Sequence, residues 1–298
     1  MKVFLTGGTG FVGGEILRQL KAAGHQVVAL VRPGSEGKLG FGQGVEIRPG
    51  DVTEPASLKG ALAGCDAVVH LVGIIREFPA RGITFERLHH EATANVLREA
   101  QAQGVKRYLH MSSNGVREGA ETGYLRSKWQ AEQEVRRSGL DWTIFRPSVI
   151  FGPGDDFVNM IADLMRKLPI FPVIGNGKYR LAPVAVENVA AGFLGALQRP
   201  ETAGHAYHCC GPREFTYDEL LDAIGEAIGK ERVRKVHHPV ALVKPVVAVM
   251  EKRADFPITG EQLAMLLAGN VCDPREWRDT FDIAMVELRD GLRRMFAA

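Results

Sequence analysis

The chain has 298 residues, 45% of them hydrophobic and 24% charged, and a formal net charge of +2. That length and composition suit one large α/β domain with a smaller lobe. The balance of charge excludes the concentrated basic character of a nucleic-acid binder, and no apolar run reaches the roughly 18 residues of a membrane span.

Lys2 to Leu5 reads as a short buried strand, followed at once by Thr6-Gly7-Gly8-Thr9-Gly10-Phe11-Val12-Gly13. Phe11 to Ala23 then forms an amphipathic helix closed by Gly24. Strand, glycine turn and helix make the setting in which a glycine fingerprint cradles a dinucleotide pyrophosphate. Gly7 permits the tight turn, Gly10 lets phosphate approach the backbone, and Gly13 lets the helix pack closely. Gly7 and Gly8 also interrupt any signal-peptide core, so a cytoplasmic protein is expected.

Further strands are expected over 26–32, 45–52, 67–73, 107–113 and 142–151, with helices over 54–63, 84–103 and 124–138 between them. Continuous apolar strands alternating with helices imply a parallel sheet covered on both faces. The fold class is therefore α/β, a doubly wound Rossmann sheet with a smaller C-terminal substrate lobe. Residues 1–152 form the dinucleotide-binding domain, with later sheet elements contributed from about 180–210, and 153–298 is mainly a substrate or partner lobe. Ligands should collect at the C-terminal ends of the strands.

After Gly152 the pattern shifts to Pro, Gly and Asn clusters, with helices expected over 186–198 and 216–228. Cys65, Cys209, Cys210 and Cys272 show neither disulfide nor zinc spacing, so reduced thiols are expected. His205 to Cys210 alternates as a strand ending at Gly211-Pro212, and no metal site is expected. The valine-rich run from Val236 to Met250 has two readings. It packs against the substrate lobe, or it is a docking face for a membrane surface or protein partner.

Tyr124-Leu125-Arg126-Ser127-Lys128 opens a helix, so Tyr124 and Lys128 share one face a turn apart. An ammonium beside a phenol favours the phenolate, drawing its pKa down from about 10. Such a phenol can exchange a hydroxyl proton while hydride moves at the neighbouring carbon. Ser112 and Ser113, ending a strand, are candidates to hydrogen-bond the reacting oxygen.

Together, Thr-Gly-x-x-Gly-x-x-Gly at Thr6 to Gly13, Asp51-Val52, Ser112-Ser113, Tyr124-x-x-x-Lys128 and Arg146 to Gly152 resemble the short-chain dehydrogenase/reductase superfamily. They fall in the order of its extended and atypical branches. The stretches 124–128, 145–157 and 258–271 are similar to the atypical group of the nucleotide-binding accessory subunit of respiratory complex I and its bacterial relatives. The resemblance implies that Gly7, Gly10, Phe11, Val12 and Gly13 line the pyrophosphate and that Asp51 and Val52 flank adenine. Leu71, Val72 and Gly73 run beneath the adenosine ribose and phosphates, and Pro147, Val149 and Ile150 sit near the nicotinamide. Met111, Tyr124 and Lys128 complete the cofactor set. The family often carries an active-site Asn where this chain has His89, read either as a proton relay or as a packing histidine. Asn95 ties its helix to neighbouring backbone.

Enzymes that prefer NAD place an acid after the second strand. Here that strand ends Leu30-Val31-Arg32, and Arg32 is suited to a 2′-phosphate, with Ser35 and Lys38 following. NADP(H) is expected over NAD(H). Three functions follow. The first is an oxidoreductase acting on a carbonyl, alcohol or quinone-like small molecule. The second is a nucleotide-bound structural or redox-sensing protein with a respiratory-complex or peripheral membrane contact. The third is a sugar-nucleotide epimerase or dehydratase. A homodimer is compatible with each.

Overall fold

The computed structural model describes residues 1–40, 44–253 and 256–297. They separate into two compact units, one of residues 1–147, 186–209 and 275–283, the other of 148–185, 210–274 and 284–298.

The first unit is built on seven parallel strands: β1 (Lys2–Thr6), β2 (Gln26–Val31), β3 (Glu46–Pro49), β4 (Ala67–His70), β5 (Arg107–Met111), β6 (Asp141–Pro147) and β7 (His205–Cys209). Their spatial order is β7-β6-β5-β4-β1-β2-β3. Register places Val28, Phe4, Val68, Tyr108 and Trp142 in one row across the sheet. That row packs on Ala92, Val96 and Ala100 of one helix and Val135 of another. The opposite face carries Phe145 against Phe193, ring centroids 4.3 Å apart. Burial on both faces is why these strands read as unbroken apolar runs. Strand order reverses at β1, so the C-terminal ends of β1 and β4 flank the crevice where such sheets receive ligands.

The strands expected over 45–52, 67–73 and 107–113 are shorter, Glu46–Pro49, Ala67–His70 and Arg107–Met111, and three further elements differ from expectation. The strand expected over 142–151 ends at Pro147, and Ile150–Phe151 belongs to the second unit, paired parallel with Val184–Ala185. Pro147 has no N–H to continue a ladder. Beyond it the Ser148 hydroxyl donates to the Ala182 carbonyl and Val184 N–H to the Val149 carbonyl. The helix expected over 54–63 is only Pro55–Leu58. The helix expected over 84–103 opens with a π-helical stretch, Glu86–Glu91, before the α-helix Ala92–Ala102.

The second unit has its own core, in which Phe151, Ile161, Phe171, Val173, Leu220, Ile224 and Leu292 meet. Asp155 caps the helix Asp156–Lys167, its Oδ1 accepting from Val158 N–H at 2.6 Å, and a Thr216/Glu219 capping box starts Tyr217–Ala227. Lys235–His238 pairs parallel with Phe171–Ile174.

The expectation of reduced thiols is corrected for two of the four cysteines. Cys210 and Cys272 form a disulfide, their Cα atoms 5.7 Å apart, whereas Cys65 and Cys209 are free and buried. The pairing is spatial, not sequential. Gly211 N–H donates to the Ala182 carbonyl (3.0 Å) and Ala182 N–H to the Asn270 carbonyl (2.9 Å), which brings both cysteines beside the same residue. Among the described residues, no helix is long and apolar enough to cross a membrane.

Candidate functional site

Gly7 adopts a left-handed backbone (φ +78°) that lets β1 turn directly into the helix Phe11–Ala22. The turn is closed by Gly10 N–H donating to the Gly7 carbonyl at 3.1 Å. A Cβ at Gly7 would stand 3.2 Å from Leu71, so this loop crosses the end of β4 at backbone distance. A Cβ at Gly13 would fall on the Gly7 carbonyl and lie 2.8 Å from the Gly8 Cα. Beside Gly10, by contrast, the nearest atom is the Gly7 carbonyl oxygen at 3.4 Å and the space beyond is open. No side chain caps the helix, so its first-turn N–H groups remain donors for an anion. These observations fit a pyrophosphate against Gly10, Phe11, Val12 and Gly13. Gly13→Ala is expected to weaken dinucleotide binding more than tenfold and to destabilise the fold by about 3 kcal/mol through overpacking, read by fluorescence titration and a melting curve.

The proton-handling side chains lie on β5, its following loop and the helix Gly123–Arg137, which Thr122 caps through Leu125 N–H (3.3 Å). Lys128 is buried, and its Nζ donates to the Met111 carbonyl at 3.0 Å. A Cβ on Gly73 would stand 3.0 Å from that Nζ. Lys128 therefore faces the chain just past β4, where the resemblance puts the cofactor. Burial lowers its pKa to about 8, while Glu132 acts in the opposite sense.

Tyr124 hydrogen-bonds to the Ser113 side chain. Ser112 instead is buried, with its Oγ lacking a partner among the described residues and its N–H donating to the Phe145 carbonyl at 2.7 Å. The two serines thus separate: Ser113 reaches the phenol and Ser112 does not. The expected downward shift of the phenol is corrected as well. Burial raises the Tyr124 pKa, and the Ser113 hydrogen bond only partly opposes it. Lys128 spends its contact on the Met111 carbonyl.

His89 is buried in the π-helical stretch. Its Nε2 lies 3.0 Å from both the Ile74 N–H and the Ile74 carbonyl oxygen, and its Nδ1 lies 2.8 Å from Ser127 Oγ. Ser127 Oγ in turn donates to the Tyr124 carbonyl at 2.9 Å. The His89 ring meets Tyr124 edge-on, centroids 5.3 Å apart, and stacks on Phe85 at 5.4 Å. Burial, and next the Lys128 charge, lower its pKa to about 2, so His89 is neutral at working pH. It packs on Tyr124 and is tied to the chain after β4. π-Bulges recur at functional sites for this reason: they re-aim one side chain within a helix.

Sequence reasoning missed His70. It ends β4, with Nδ1 2.7 Å from Thr6 Oγ1 and Nε2 3.2 Å from Thr93 Oγ1. It thereby ties the glycine loop's first residue to the helix behind it. A histidine closing the otherwise apolar run Ala67-Val68-Val69 was the available signal.

The remaining candidates are placed as follows. Arg32 is exposed at the tip of β2, where its carbonyl accepts from Ser35 N–H (2.9 Å), and Lys38 ends the next turn. Asp51 accepts from Thr53 N–H at 2.9 Å and Thr53 Oγ1 at 2.8 Å, a local turn that fixes the loop before Val52. The Val52 carbonyl accepts from Asn95 Nδ2 (2.8 Å), the tie expected of Asn95. Leu71 N–H donates to Thr6 O at 3.3 Å, and Val72 packs at the edge of the core. Pro147 closes β6, its carbonyl accepting from Asn114 N–H (2.8 Å). Val149 and Ile150 belong to the second unit.

A family model described as NAD(P)H-binding matches residues 7–156. The chain is 31% identical over 271 residues to NADH dehydrogenase (ubiquinone) 1 alpha subcomplex subunit 9, mitochondrial, of Arabidopsis thaliana, covering 86% of this chain and 66% of that protein. It is 30% identical over 238 residues to ceramide reductase of Caulobacter vibrioides, covering 80% of this chain and 74% of that protein. Among solved structures it is similar to UDP-glucose 4-epimerase of Thermotoga maritima, with a TM-score of 0.76, 18% identity and coverage of 99% and 97%. At that identity the likeness concerns the fold alone. The chain belongs to the NAD(P)H-binding family, in the extended and atypical short-chain dehydrogenase/reductase group that includes the complex I accessory subunit and bacterial reductases.

Proposed function

We propose that this protein is an NADP(H)-dependent oxidoreductase acting on a carbonyl or quinone-like small molecule. One observation carries the reading. Buried Lys128 faces Gly73 while Tyr124 is held by Ser113 and His89, all in the unit that holds the open glycine cradle. The cofactor, when bound, supplies or accepts the hydride. Tyr124 Oη donates its proton to the substrate oxygen as that oxygen gains charge, and Ser113 Oγ orients the same oxygen. Lys128 holds positive charge beside the ribose, and its pKa of about 8 keeps that charge through neutral pH. A carbonyl substrate agrees with the relative named for ceramide reduction.

Arg32 supports the choice of NADP(H), since no acid stands at the tip of β2 to hold ribose hydroxyls. Arg32→Asp is expected to lower the NADPH-to-NADH preference by about tenfold or more, read from Kd values for both nucleotides, because a charge-assisted phosphate contact contributes about 1.5–3 kcal/mol. A cytoplasmic location goes with this reading.

A second reading, a nucleotide-stabilised structural or sensing protein, is favoured by the raised Tyr124 pKa and by the likeness to the complex I subunit. A respiratory-complex contact belongs to that alternative. Mass spectrometry and fluorescence of freshly purified protein, followed by a quinone and carbonyl panel, distinguish the two. Bound NADPH oxidised by a panel member supports the oxidoreductase. Bound NADPH untouched by every member overturns it in favour of the second reading.

A further inference from the structure

The helix Val240–Met250 is apolar apart from Lys244, yet only Val247 is buried. Leu242, Val246 and Val249 recur at helical spacing on one stripe and are 68%, 55% and 69% exposed. Val240, Val243 and Val247 form the opposite, protein-facing stripe. A helix hydrophobic all round belongs in a core or against lipid, and this outer stripe faces neither within the chain. The strand just before it continues the pattern: Val236 is exposed, as is its register partner Pro172.

The charge around this stripe is lopsided. Residues 230–253 hold seven Lys or Arg against two Glu, an excess of five in a chain whose total is +2, so the remaining residues are net acidic. Lys244 is the only charge within Val240–Met250. Arg232 and Arg234 are exposed and, with Lys230, line an open depression of about 1100 Å³ that Asp222, Glu226 and Glu231 also border. Of the two acids, Glu251 is taken up by Gly260 N–H at 2.7 Å.

We propose that this helix lies in the plane of an anionic membrane surface, its Leu242/Val246/Val249 stripe among the acyl chains and the sequence-flanking Arg232, Arg234 and Lys252 against lipid phosphates. Eleven residues span roughly 16 Å, too short to cross a bilayer but suited to lie on one. A second copy of the chain is a poorer occupant, because a self-paired face would set these like charges together. The inference stands apart from hydride chemistry, since lipid binding succeeds or fails whether or not the protein turns over.

The test is sedimentation of the full-length protein with phosphatidylcholine vesicles, pure or carrying about a quarter phosphatidylglycerol. The expected result is several-fold more protein pelleted with the anionic vesicles. That excess is lost at high salt, and it is lost in the Leu242→Ser/Val246→Ser/Val249→Ser variant at an unchanged melting temperature. Wild type that stays in the supernatant with both vesicles, or a triple variant that pellets like wild type, overturns the proposal. So does light scattering that shows a stable dimer dissociated by the same three substitutions, for then a second copy covers the stripe.

Discussion

Tyr124→Phe is expected to lower kcat by about 10²- to 10⁴-fold on any substrate the panel identifies, the range over which a positioned acid contributes. NADPH affinity should change little. The substitution removes one hydroxyl, whereas the glycine cradle and Lys128 are untouched, and the Phe ring retains the edge-on contact with His89 and the packing on Phe85. The expected signature is therefore a fall in kcat with nucleotide Kd held, measured by stopped-flow oxidation and fluorescence titration. Full activity in the variant would remove Tyr124 from proton transfer and leave Ser113 without a partner in the mechanism.

The second large effect concerns acid stability. His70, His89 and His110 are buried in one region, with the ring of His110 stacked 5.7 Å from His70. Burial, reinforced by the Lys128 charge, lowers His70 to about 3 and His89 to about 2, and burial holds His110 well below its usual value. Above about pH 6.5 these groups are neutral in folded and unfolded chains alike and do not affect stability. Below it the unfolded chain binds protons that the folded chain refuses, so stability falls as pH falls toward about 3. At about pH 5 His70 and His89 each cost about 2 kcal/mol, and His110 acts in the same direction, a large share of the stability of an ordinary domain. Urea unfolding at a series of pH values should show this loss, and stability unchanged between neutrality and pH 5 would contradict it. His110→Phe should make stability fall less steeply with pH, since neither ring nitrogen of His110 has a partner among the described residues.

The sheet was legible because its strands are buried on both faces, and burial writes itself as unbroken runs such as Ala67-Val68-Val69. The open space beside Gly10 and the close packing at Gly13 were legible because their positions relative to a strand and a helix carry the meaning. That Tyr124 and Lys128 share a helix face followed from their spacing, but singling them out needed the glycine fingerprint and Ser112-Ser113 as well. What depended on contacts across the chain was not legible. Nothing in Ser112-Ser113 tells which serine turns toward the phenol. The π-helical stretch that aims His89 has no composition signal, because a π-turn differs from an α-turn by one residue of register. Pro147 marked the end of β6 more plainly than the apolar residues after it allowed. The valine run of 240–250 admitted burial as readily as exposure, since periodicity cannot locate a face without a neighbour.

The Cys210–Cys272 bond encloses the whole stretch that carries the exposed valines and the excess of basic charge. Its arginines and lysines, among them Arg232, Arg234 and Lys252, also mark peptide bonds a trypsin-like protease would cut, whereas Pro245 protects the bond after Lys244. A single cut there yields two pieces that remain one covalent molecule, and only a reductant separates them. A nicked population would accordingly migrate as intact protein on a gel run without thiol, and its true length would emerge only after reduction.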